Sequence, residues 1–141
     1  MRGAAVAGLA AAVAAGGCGG HGRAREVRAE LAAPRACHVT VFFTTRMVTG
    51  REATRAEIAA VRSRLRLASS SRIRTFAFVS KRLALRRMAK RHPELVQRMP
   101  INPLPSAYEI VPRSADDAKA LAAELRGLHG LEHVSASRAC K

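Results

Sequence analysis

Tryptophan is missing from this chain, tyrosine occurs once, and aromatic residues make up only 4% of its 141 positions. A binder of single-stranded nucleic acid stacks bases on several exposed rings, and this inventory is too thin for a row of such platforms. Acidic residues are scarce too: Asp and Glu total 10 against 25 Lys and Arg, for a formal net charge of +15. Glu52, Asp116 and Asp117 fall where helix first turns are expected, so capping and the helix dipole account for them. No Gly-x-Ser-x-Gly elbow, glycine-rich phosphate loop or acid pair of catalytic spacing occurs. His129 and His133 are interrupted by Gly130 and lack the glutamate of a zinc-protease motif. Cys37, His38 and Cys140 do not supply four zinc ligands. The expectation is a non-catalytic domain without metal or cofactor.

What the chain does have begins at its N-terminus. Residues 3–17, behind Arg2, form an apolar run of small residues. It is shorter than the ~20 apolar residues of a membrane-spanning helix, and it fits the apolar region of a secretory signal over residues 1–17. Cys18, after Ala15-Gly16-Gly17, resembles the cysteine of a bacterial lipobox, although Ala15 stands where that pattern prefers leucine. This predicts an extracytoplasmic protein, lipid-anchored through Cys18, or secreted if Cys18 is not acylated. Residues 18–36 read as a flexible basic tether. Its arginines Arg23, Arg25, Arg28 and Arg35 suit an anionic membrane surface.

The remaining residues, 37–141, read as one folded domain. His38–Thr44 alternates as a strand, with Val39, Val41 and Phe43 on one face. Thr49 and Glu52 have capping-box spacing and predict a helix to about Leu67, burying Ile58, Val61 and Leu65. Ile73–Val79 is the second strand, with Phe76 and Phe78 on one side. A helical lobe over about 81–101 follows: one basic helix over Lys81–Arg91, then a short one opened by Pro93. Pro100, Pro103 and Pro105 force an extended path into a third strand at Ser106–Val111. Ser114 caps a helix to about Arg126 whose core face is Ala118, Leu121, Ala122 and Leu125, and Leu131–Ser137 is the fourth strand. The order β-α-β-(α-α)-β-α-β predicts an α+β, ferredoxin-like split β-α-β sheet with an inserted helical lobe. That arrangement makes the first and last strands antiparallel neighbours, so Cys37 and Cys140 fall side by side. In an oxidising compartment the pair invites a disulfide; the other reading is two unrelated thiols.

Such a basic balance attracts polyanions, including anionic membranes or wall polymers. Arg74-Thr75-Phe76-Ala77-Phe78-Val79-Ser80 also carries some features of the base-stacking strand of an RRM, which makes a basic RRM-like nucleic-acid-binding module the alternative function. Against it, Thr75 replaces the motif glycine, Lys81 replaces its last aromatic, and the third-strand position of that motif is not available. Nucleic acid is therefore the disfavoured partner.

Val79-Ser80-Lys81 at a strand end, an amphipathic lobe, and Asn102-Pro103-Leu104-Pro105 leading into the next strand resemble the extracellular domain of FtsX, the permease-like cell-division protein. The likeness runs over about residues 38–137. It implies a stand-alone version of that domain, without the permease's membrane-spanning segments, acting as a cell-envelope adaptor. The partner it implies is a peptidoglycan hydrolase or its activator, met through apolar residues of the lobe: Leu83, Leu85, Met88, Leu95, Val96 and Met99. After Lys81 this chain has Arg82 and Leu83 where the family usually carries acids, which makes the lobe basic.

Overall fold

The computed structural model describes residues 37–140; the leader, Cys18 and the tether lie outside the described residues. The strands are β1 (Val39–Phe43), β2 (Ile73–Val79), β3 (Ala107–Pro112) and β4 (Leu131–Ala136). They form one sheet in the order β2-β3-β1-β4 with every neighbouring pair antiparallel. The helices are α1 (Arg46–Thr49), α2 (Arg55–Ala68), α3 (Lys81–Arg91), α4 (Pro93–Gln97) and α5 (Ala115–Leu125). This is the expected α+β, ferredoxin-like architecture, with α3 and α4 inserted where a plain fold of this kind has a tight β2–β3 connection.

Strand alternation decides which residues make the core. Val39, Val41 and Phe43 on β1, with Tyr108 and Ile110 on β3 and Val134 on β4, form one buried face. Val61 and Leu65 of α2 and Ala118, Leu121, Ala122 and Leu125 of α5 pack onto it, as their 3.6-residue spacing requires. Burying a side chain of the Leu65 or Leu121 type contributes about 1.5–3 kcal/mol. Ser114 caps α5 as its spacing suggests, its hydroxyl accepting from the Asp117 amide at 3.1 Å.

The start of the first long helix is a correction. Thr49 and Glu52 do not cap it. Thr49 closes α1, its hydroxyl donating to the Thr45 carbonyl at 3.1 Å, and Gly50 turns the chain away at φ 75°. The capping box is instead Thr54 and Glu57. The Thr54 hydroxyl accepts from the Glu57 amide at 3.2 Å, and the Glu57 carboxylate accepts from the Thr54 amide at 2.8 Å. Two Thr-x-x-Glu pairs stand five residues apart; only the second lacks a glycine inside its first turn. The buried face is unchanged, apart from Ile58, which is only half-buried.

At the far end of the sheet, Cys37 and Cys140 form a disulfide with their Cα atoms 4.7 Å apart. The β1–β4 ladder continues beyond the strands, with the Ser137 amide donating to the His38 carbonyl at 2.8 Å, which brings the two cysteines together. Among the described residues, no helix is long and apolar enough to cross a membrane.

Candidate functional site

The lobe is held at its neck by the residues that stood out in the sequence. Val79, buried at the end of β2, delivers the chain to Ser80, whose hydroxyl accepts from the Leu83 amide at 3.2 Å and so caps α3. The Lys81 ammonium donates to Glu52 Oε1 at 2.6 Å, bridging the lobe to the loop before α2. This hydrogen bond from Lys81 holds the Glu52 carboxyl below its ordinary pKa. On the return path the Asn102 side-chain amide donates to the Lys81 carbonyl at 2.9 Å, while its oxygen accepts from the Leu104 amide at 3.1 Å. Pro103 and Pro105 keep that path extended, and the Phe43 amide then donates to the Ser106 carbonyl at 3.0 Å.

Further along α3, Arg87 donates to Glu109 on β3 at 2.6 Å. Glu109 pairs with Thr40 and Ala77, whose side chains alternate away from the core. This ion pair therefore lays α3 over the sheet face opposite α2 and α5.

Neither α3 nor α4 has a buried residue. Leu83, Leu85, Met88, Val96 and Met99 are half-buried and Leu95 is exposed. Between α1 and the segment returning from α4 lies a groove of about 640 Å³. Met47, Met99 and Ile101 give it apolar walls, the Glu52–Lys81 pair lines it, and Arg46 and Arg98 add positive charge. Met47 is 74% and Ile101 77% exposed. Of the six lobe residues singled out from sequence, Met99 lines this groove; Leu83, Leu85, Met88, Leu95 and Val96 lie elsewhere on the lobe. Sequence reasoning missed Met47, Val48 and Ile101. The signal was there: a four-residue helix cannot turn two adjacent apolar residues, Met47 and Val48, into one core, and Ile101 stands next to Pro100 in a segment with no regular structure.

The aromatic residues of β2 are arranged differently from a base-stacking platform. Phe76 and Phe78 share the side of an edge strand that faces α2 and α5, each with its ring against Tyr108, at 5.9 and 5.2 Å between centroids. Phe76 packs against the core, whereas Phe78 at the rim stays exposed. Burial pushes the Tyr108 hydroxyl above its ordinary pKa. His133 stacks on Phe42 rather than joining His129, and among the described residues no group of three or more His, Cys, Asp or Glu could hold a metal ion.

The family model for the FtsX extracellular domain matches residues 36–140, which covers all of the sheet and the lobe. No curated protein matches the chain.

Proposed function

Because this chain belongs to the FtsX extracellular-domain family, we propose that its lobe and groove dock a peptidoglycan hydrolase, or the activator of one, during cell division. The family sets the coarser frame: a protein-interaction domain of cell division, lying outside the cytoplasm. Within that frame the sheet is the rigid base and the lobe is the contact element. Cys18 would hold the protein to the membrane through acyl chains, each buried methylene contributing about 0.8 kcal/mol.

The observation that carries this reading is the exposure of Met47 and Ile101 on facing walls of one groove, in a domain whose Val39, Val41, Val61, Leu65 and Ile110 are fully buried. Clustered exposed apolar side chains of this kind mark an interaction surface. An amphipathic helix is the simplest occupant, its apolar side in the groove.

The test is binding of a purified cognate hydrolase or activator, followed by calorimetry, to Met47→Asp/Ile101→Asp and, separately, Leu85→Asp/Met88→Asp. The groove variant should lose at least about tenfold in affinity, a loss of about 1.4 kcal/mol, with its circular dichroism unchanged. If only the Leu85/Met88 variant loses binding, the contact lies on the lobe outside the groove. Unchanged binding in both removes the lobe from consideration. Membrane fractionation of Cys18→Ala tests the anchor: release from the membrane is expected, and retention overturns lipidation at that residue.

A further inference from the structure

A second surface on the lobe is made by residues that do not line the groove. Arg82, Arg86 and Lys90 are exposed and recur at i, i+4 and i+8 along α3, which lines them up over about 12 Å of one helix face. The helix contains no acid. The two cations of the lobe that do find acids are Lys81, with Glu52, and Arg87, with Glu109. Among the described residues Arg82, Arg86 and Lys90 have no ion-pair partner, and neither does Arg91, which follows them. Like charges four residues apart on a helix repel, so the free domain carries an uncompensated repulsion that a polyanion would relieve.

We infer that this stripe docks on an anionic phospholipid bilayer. Three features favour a lipid surface over a soluble polymer. The Arg87–Glu109 pair turns α3 back along the sheet to the level of Thr40, which faces Glu109 in the ladder and stands three residues from Cys37, where residues 1–36 join the domain. Those preceding residues add Arg23, Arg25, Arg28 and Arg35, so the sequence that joins the domain at Cys37 is itself basic. Finally, Leu95, exposed and in the helix that follows the stripe, supplies an apolar side chain that a bilayer interface can bury and a soluble polyanion cannot. Arg82, Arg86 and Lys90 are not among the residues that line the groove with Met47 and Ile101.

The experiment is flotation of the full chain with vesicles of phosphatidylcholine alone or mixed with phosphatidylglycerol. Arg82→Glu/Arg86→Glu/Lys90→Glu is compared with Arg55→Glu/Arg62→Glu/Arg64→Glu, which makes the same change in net charge on exposed positions of α2. The phosphatidylglycerol-dependent binding of the α3 variant should fall at least about tenfold, since each cation near such a surface counts individually, and the α2 variant should stay close to wild type. Equal losses in both would reduce the effect to bulk charge, and an unchanged α3 variant would sink the proposal outright. Arg82→Gln/Arg86→Gln/Lys90→Gln, which keeps the side chains polar without reversing charge, serves if the Glu variant fails to fold. A glycerol-phosphate polymer that binds through the stripe while anionic vesicles do not would also overturn it, in favour of a wall polymer.

Discussion

The side-chain amide of Asn102 donates to the backbone carbonyl of Lys81 at 2.9 Å, across 21 residues of sequence. One residue leaving the lobe thereby grips the residue that enters it. The Val-Ser-Lys and Asn-Pro-Leu-Pro steps are two halves of one neck: Ser80 starts α3, Lys81 reaches Glu52, and Asn102 closes the loop while accepting from Leu104.

Replacing Asn102 with Ala should loosen the lobe more than the domain. A neutral hydrogen bond contributes about 1 kcal/mol, and the sheet core does not depend on this one. The expected result is faster proteolysis between Lys81 and Asn102 with a small shift in the global urea midpoint. Asn102→Asp, which keeps the acceptor for Leu104 but sets an anion against the Lys81 carbonyl, should be at least as bad. Equal protection of all three proteins would mean that the Ser80 cap, the Lys81–Glu52 pair and the prolines hold the neck without Asn102.

Gly130 cannot become Ala cheaply. Its φ is +82°, and a Cβ there would stand 2.7 Å from the Glu57 Cβ and 2.8 Å from its Cδ. Left-handed backbone costs an ordinary residue about 1–2 kcal/mol, and the clash adds to it by pushing on the capping box of α2. Gly50→Ala makes the comparison clean, since Gly50 has a similar φ of 75° but open space around it. Denaturant unfolding should find Gly130→Ala the more destabilised of the two; the reverse order would mean that Glu57 moves aside freely.

Glu57 also gives the fold an acid limit. The Arg51 guanidinium, at 2.8 and 2.9 Å, and then the Thr54 amide hold its carboxyl down to about 2 from an ordinary 4.5. A depressed folded-state pKa means that the stabilisation is complete above about 4.5 and disappears as pH falls towards about 2. Unfolding midpoints recorded across that window should fall with pH, and Glu57→Gln should flatten the fall. A Gln variant with the same acid slope would assign the effect to other carboxylates.

Much of this was readable in the sequence because the periodic signals were strong. The alternation of Val39, Val41 and Phe43 and the helical spacing of Ala118, Leu121, Ala122 and Leu125 specify the core without help from the rest of the fold. β2 and α3 begin and end where the residue pattern puts them. The failures are local competitions. Thr49 and Thr54 offered equivalent capping spacings, and what decided between them was the glycine at position 50 together with Glu52 being taken by Lys81. The groove was half legible: Met99 belongs to the apolar lobe, but Met47 and Ile101 face it from segments of four helical residues or none, where no periodicity exists to read. The uncompensated character of Arg82, Arg86 and Lys90 needed the ion pairs of Lys81 and Arg87 to be known first.

The disulfide should be the largest single contribution that can be removed without touching the sheet. Cys37 and Cys140 are 103 residues apart, so their bond closes nearly the whole domain into a ring. On the chain-entropy account a loop of that length stabilises by about 4–5 kcal/mol, a large share of the ~5–15 kcal/mol typical of a whole domain. Cys37→Ala with Cys140→Ala is the appropriate pair, because Cys140 is 3% exposed and a serine there would bury a hydroxyl. Thermal unfolding of the double variant, and of the wild type with reductant, should give the same lowered midpoint, the fall on the order of 15 °C or more. A fall of only a few degrees would mean that the β1–β4 ladder, with its Ser137–His38 extension, already holds the chain ends together. In that case reduction of the bond would leave the domain folded, and its stability would not depend on an oxidising compartment.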